Sequence, residues 1–147
     1  LQGDMPNINP NAISELAAYM RKSKCDIGTL ASDLDPKNDN ENPNVVKVTV
    51  NNKFLDSSFE NALDFFRINK NLSKNTYHHI GIYGFTSKSL IRYVKLKRSK
   101  LELKRKLEQL RALENNMTIH VGYIKSLPLS VDTEDDLIEI KKIMENE

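Results

Sequence analysis

Apolar residues along this chain follow two rhythms, one of helices and one of strands. Ile13, Leu16, Ala17 and Met20 recur at helical spacing behind Asn9-Pro10, a pair suited to a helix start. Arg21, Lys22 and Lys24 suit the negative end of that helix. Asp26 to Ala31 reads as a short strand, and residues 32–44 as a polar, turn-rich surface loop. Val45 to Val50 is the clearest strand, β-branched almost throughout. Asn51-Asn52 offers a hairpin turn, and Phe54-Leu55 and Ala62 to Arg67 read as further strands. His79 to Phe85 is a strand in which Gly81 and Gly84 mark close backbone approach.

The last third returns to helices. Thr86 or Ser87 caps a helix through about Val94, with Leu90, Ile91 and Val94 as its apolar face. Leu103, Leu107, Leu110 and Leu113 centre another, which Asn115-Asn116 ends. Met117 to Ile124 alternates as a strand, and Pro128 lies in a loop. Thr133 and Asp136 form a capping box for a final helix carrying Leu137, Ile140 and Ile143. Helices and strands alternate around a strand-rich middle, which predicts an α/β fold with a mixed sheet flanked by helices.

Composition narrows the function classes. An apolar share of 39% over 147 residues supports one packed domain, and 29% charged residues cover its outside. The net charge of +2 does not call for nucleic acid. Cys25 is the single cysteine, so no intrachain disulfide forms, which fits a reducing cytoplasm. No apolar run is long enough for a membrane helix. The basic stretch from Lys88 to Arg111 surrounds helix boundaries and reads as a solvated surface.

Candidate chemistry sits at four places. Asp4 follows Leu1-Gln2-Gly3, which reads as the end of a strand running into a loop, where open α/β sheets bind ligands. We therefore expect the chain to begin inside a site, as the back part of a larger domain. Asp4 is either a Mg²⁺ ligand, since that ion takes carboxylate oxygens, or the cap of a turn. Asp132 is a second metal candidate or an acidic residue favoured by a helix N-terminus. His79 and Tyr83 share a strand face with Gly81 between them, leaving room for a ligand or simply forming a half-buried aromatic face. Glu108-Gln109 is a solvent face or a binder of sugar hydroxyls.

Five segments in order carry a family resemblance. They are Gln2 to Pro6, Asn42 to Val48, His79 to Phe85, Leu107 to Arg111 and Val131 to Leu137. Together they resemble the carboxy-terminal part of the 3-deoxy-manno-octulosonate (Kdo) cytidylyltransferases, the CMP-Kdo synthetases. That family joins CTP and Kdo into CMP-Kdo and pyrophosphate for the lipopolysaccharide core. The resemblance implies a nucleotide-diphospho-sugar-transferase-like, Rossmann-like sheet, with residues 1–147 as one part of a single domain. It implies Mg²⁺ as cofactor, held by Asp4 and Asp132 as the catalytic carboxylates. It implies sugar contacts from Gln2, His79, Tyr83, Glu108 and Gln109. Arg67 matches the family's Phe-Ser-Arg arginine, whose fork suits the Kdo carboxylate. Partners are CTP, Kdo, and either a second copy in a homodimer or a separate amino-terminal fragment; neither nucleic acid nor membrane is expected.

The departures are specific. The family's amino-terminal half, with its Arg-Leu-Pro-Gly-Lys phosphate loop, has no counterpart in these 147 residues. Met5 stands where many members have Glu, Ile68-Asn69-Lys70 replaces an Ile-Pro, and Arg105 takes a position that is usually acidic. Without the phosphate loop CTP has little to hold it, so we expect the isolated chain to be inactive or nearly so. The alternative expectation is a non-catalytic remnant that binds an acidic sugar or a partner chain.

Overall fold

The structure is a computed structural model describing residues 5–36, 38–55, 59–69, 72–129, 131 and 134–145, with the side chains of Asp136 and Glu139 left aside. The expectations placed on Gln2, Asp4, Asp132 and Thr133 therefore lie outside the described residues.

Helix α1 runs Pro10–Lys22. Asn9 caps it, its side chain accepting from the Asn11 N–H at 2.9 Å. Strand β1 (Ile27–Ser32) is buried throughout. After the polar loop come β2 (Lys47–Val50), β3 (Phe59–Phe66) and the long β4 (Thr76–Phe85). Phe54 and Leu55 lie in the β2–β3 connection rather than in a strand, so that connection is longer than the Asn51-Asn52 turn suggests.

Helix α2 (Ser87–Val94) is capped by Thr86, whose hydroxyl accepts from the Ser89 N–H at 3.1 Å. The expected Leu103–Leu113 helix is two short helices, α3 (Lys100–Arg105) and α4 (Gln109–Glu114). Lys106 breaks them apart in the left-handed conformation, at φ 55°. Strand β5 (Ile119–Tyr123) and helix α5 (Glu134–Met144) follow. Among the described residues no helix is long and apolar enough to cross a membrane.

The sheet is mixed. β1 pairs β5 in parallel and β4 antiparallel, while β2 pairs β4 and β3 antiparallel. Phe59 to Asn61 also pair with β5, so the ladders close in the order β1-β4-β2-β3-β5. Two apolar clusters result. One, from Ile27, Val48, Phe65, Leu110 and Val121, lies between the sheet and α3–α4. The other places Leu16, Leu30, Ile80 and Ile82 under α1. Met5 is buried in this second cluster, which accounts for an apolar residue at that position.

α1 seats on a glycine pair. Gly28 and Gly84 are cross-strand partners, and a Cβ on either would stand within 2.8 Å of the Met20 sulfur. Gly84 thus marks a close approach, as its place in the strand implies. The face of α2 departs from expectation. Leu90, Ile91 and Val94 are 45%, 56% and 66% exposed, because the helix turns toward the sheet through Ser89, which is buried.

Candidate functional site

A cavity of about 550 Å³ opens between β4 and the α2–α4 segment. Ile27, Val46, Phe85 and Leu107 make its apolar wall. Its polar lining includes His79 and Tyr83 from β4 and Glu108 and Gln109 from the start of α4, with Tyr93 and Lys106 beside them. Four of the residues singled out in the sequence therefore face one space.

The β4 side is shaped by a bulge. Thr29 pairs with Tyr83 but the next residue, Leu30, pairs with Ile80, so Gly81 and Ile82 are extra residues in β4. Gly81 lines the cavity between His79 and Tyr83, whose rings are 5.5 Å apart. The Thr29 hydroxyl fills the bulge, donating to the Ile82 carbonyl at 2.7 Å and, more weakly, to that of Ile80 at 3.2 Å. It also lies 2.9 Å from His79 Nε2.

His79 is 6% exposed and packs edge-on against Phe65. Burial pushes its pKa down to about 3, with His78 adding to the effect, so the ring is neutral at physiological pH. Burial likewise holds the Tyr83 phenol above its ordinary range, helped by Tyr93 and Glu108. Among the described residues the Tyr83 hydroxyl and the Gln109 amide make no hydrogen bond to protein. The cavity thus presents two uncommitted neutral polar groups, Tyr83 and Gln109, beside the charged Glu108 and Lys106, and neutral groups of that kind pair with ligand hydroxyls.

The α4 side is held by a buried ion pair. Glu102, 5% exposed, accepts from Arg111 Nε at 2.8 Å and Arg111 NH2 at 2.5 Å. It also accepts from the Ser99 N–H at 3.0 Å, and these contacts lower its pKa to about 2. Arg111 lies over the Tyr93 ring at 4.9 Å, and the Tyr93 hydroxyl donates to the Glu108 carbonyl at 3.0 Å. With Lys106 left-handed, this chain of contacts turns Glu108 and Gln109 toward the cavity. Arg105 has a role here too, donating to Asp64 Oδ1 at 2.6 Å and to the Phe65 carbonyl at 2.9 Å, so it ties α3 to β3. The other basic residues of the stretch, including Lys88, Lys95, Lys97 and Lys104, are exposed, as a solvated surface requires.

Arg67 does not join this cavity. It lines a separate cleft of about 310 Å³ with Asp64, Phe66 and Arg105, and its NH1 donates to the Pro43 and Asn44 carbonyls. Sequence reasoning also missed two residues. Lys47 was read only as part of a strand, yet it is fully buried. Thr29 was read only as strand, yet it holds the bulge; a lone Thr in a buried strand carries no signal of that kind.

A third space, of about 620 Å³, lies where Asn7 to Asn9 and the start of α1 meet Tyr123 to Pro128. Asn7 Oδ1 accepts from the Leu129 N–H at 2.9 Å. The segment just after Asp4 is thereby stitched to the segment just before Asp132. Among the described residues no cluster of three or more His, Cys, Asp or Glu could hold a metal.

Comparison with known proteins agrees on one group. A family profile described as cytidylyltransferase matches residues 1–119. The 3-deoxy-manno-octulosonate cytidylyltransferase of Bartonella bacilliformis is 39% identical over 145 residues, covering 98% of this chain and 59% of that protein. Its counterpart in Rhodopseudomonas palustris strain BisB5 is 44% identical over 138 residues, covering 93% and 56%. A solved structure of CMP:2-keto-3-deoxy-manno-octonic acid synthetase complexed with CTP superposes with a TM-score of 0.86 at 29% identity, covering 99% of this chain and 60% of that one. The chain thus spans somewhat under two thirds of the length of the relatives it matches.

Proposed function

Because the chain belongs to the cytidylyltransferase family, we propose that its 550 Å³ cavity holds the acceptor sugar of a CTP-dependent transfer, CTP plus Kdo giving CMP-Kdo and pyrophosphate. The observation that carries this reading is the convergence of His79, Tyr83, Glu108 and Gln109 on one cavity with an apolar wall. A neutral imidazole, a phenol, an amide and a carboxylate suit a polyhydroxylated ligand whose ring face packs on Phe85 and Leu107.

In the reaction, the anomeric hydroxyl of Kdo attacks the α-phosphorus of CTP in line. The new bond joins that oxygen to phosphorus, the bond to the pyrophosphate oxygen breaks, and the hydroxyl proton leaves to solvent. The residues of this chain orient the sugar so that its anomeric oxygen points at the phosphorus, which is where most of the rate enhancement resides. The sequence supplies two aspartates, Asp4 and Asp132, whose hard carboxylate oxygens would suit Mg²⁺. When bound, that ion supplies charge neutralisation at the α-phosphate and the leaving pyrophosphate. Gln2, two residues before Asp4 in the sequence, is assigned to the sugar contacts in the same reading. Arg67, which lines the separate cleft and has NH1 committed to the Pro43 and Asn44 carbonyls, is left out of the Kdo contacts in this reading.

In this reading these 147 residues supply the sugar side of the reaction, and the nucleotide contacts are assigned to the part of the relatives' length that the chain does not span. The exposed α2 face of Leu90, Ile91 and Val94 supports an assembly with another chain, for which we take a second copy. Light scattering after size exclusion tests that, and a monomer at high concentration refutes it.

The central test is pyrophosphate release from CTP with Kdo and Mg²⁺, run on the chain alone and mixed with the amino-terminal half of a relative. Release only in the mixture, and only with Kdo present, is expected. If calorimetry detects no Kdo binding to either preparation, the sugar-site reading fails, and a partner-binding remnant takes its place.

A further inference from the structure

The Thr29 hydroxyl has one proton, and carbonyl oxygens can only accept. At 2.7 Å from the Ile82 oxygen and 3.2 Å from that of Ile80, the proton is committed to the carbonyls that the β4 bulge leaves out of register. Toward His79 Nε2, 2.9 Å away, Thr29 therefore turns a lone pair. A pairing at that distance then requires the proton on Nε2. His79 is neutral, so Nδ1 carries none. Among the described residues Nδ1 has no hydrogen-bond partner, nor is it sealed from the cavity that His79 lines.

We infer that Thr29 is a positioning residue that locks His79 in the Nε2–H tautomer, so that Nδ1 meets the cavity as a hydrogen-bond acceptor and selects a ligand hydroxyl at that point. A carboxylate or phosphate oxygen there would face a lone pair with no proton between them. The acid group of an acidic sugar must then lie elsewhere in the cavity, away from His79. This inference rests on the sugar-site reading for the identity of the ligand, but the tautomer lock stands on Thr29 and His79 alone.

The test is long-range ¹⁵N–¹H NMR of the imidazoles in the 147-residue chain, first without ligand and then with Kdo. His79 is expected as a single Nε2–H tautomer. Thr29→Val, which keeps the shape and removes the acceptor, is expected to give a mixture of tautomers and to weaken Kdo binding about tenfold. Thr29→Ser, which restores the hydroxyl, is expected to restore the single tautomer. A proton on Nδ1 in the unaltered chain overturns the inference. So does a Thr29→Val spectrum that matches it, or a Thr29→Ser spectrum that matches Thr29→Val. If the tautomer series comes out as expected while Kdo moves no cavity resonance, the Thr29 lock holds and the sugar reading falls.

Discussion

Lys47 and His79 are both basic side chains buried in neighbouring strands, and they have opposite fates. Lys47 Nζ donates to three carbonyls, those of Asn42 at 3.0 Å, Val45 at 3.2 Å and Arg67 at 2.5 Å. Its cross-strand partner His78 pairs with Asp39 at 2.8 Å. Every donor of the ammonium is used, and what it joins is the polar loop after β1 to the end of β3. His79 uses one ring nitrogen on Thr29 and leaves the other facing a cavity. A buried polar group whose capacity is spent is a strut; one with capacity left over is available for a ligand. Burial lowers both pKa values, so titration alone does not separate them; the partner geometry does.

The sharpest way to break the comparison is Lys47→Met. It fills a similar volume but leaves three part-buried carbonyls without their donor, and should cost about 3–5 kcal/mol of stability by urea unfolding. A cost under about 1 kcal/mol would mean that water replaces the ammonium and that the strut description is wrong. Glu102→Gln is next, because Glu102 is also fully engaged. Losing one partner of this buried pair should cost about 3 kcal/mol. It should also weaken sugar binding, since α4 loses its anchor; unchanged binding at reduced stability would separate the anchor from the site.

His79 makes a pH prediction. Its folded pKa, about 3, is below its ordinary 6.5, so between those values the unfolded chain binds the extra proton. Stability is therefore complete above pH 6.5 and falls as pH drops toward 3, by about 1.4 kcal/mol per unit from this residue. His120, lowered by burial, adds in the same direction. Glu102 adds its own loss only below its ordinary 4.5, so the window from pH 5 to 6.5 isolates the histidines. His79→Gln should flatten the slope of unfolding free energy there; an unchanged slope would show that His79 is not buried neutral. The smallest stability effect belongs to Tyr83→Phe. Among the described residues its hydroxyl has no protein partner, so stability should move by less than about 0.5 kcal/mol while Kdo affinity falls several-fold. A large stability loss would make Tyr83 a strut like Lys47.

Much of the site was legible from local pattern. Strand alternation puts His79 and Tyr83 on one face, whereas Glu108-Gln109 read equally as a solvent face, and only the family resemblance marks them as sugar contacts. Arg67 was legible as a residue but not as a location, because its carbonyl partners Pro43 and Asn44 lie 24 and 23 positions earlier in the chain. The exposed α2 face read as core for the same reason: periodicity shows that a helix has an apolar side, not what covers it.

By itself the sequence determined the elements whose signals are local. The Asn9-Pro10 start of α1, the Thr86 cap of α2, the polar loop after β1 and the β-branched run of β2 depend on residues within a few positions of one another, and the chain carries them in any fold. Only the tertiary structure decided the rest. The bulge opposite Thr29, the burial of Lys47 and the tautomer of His79 each depend on a partner brought in from a distant strand or helix. Those partners are chosen by strand register and by which buried groups must be satisfied, and both are properties of the assembled sheet rather than of any stretch of the chain.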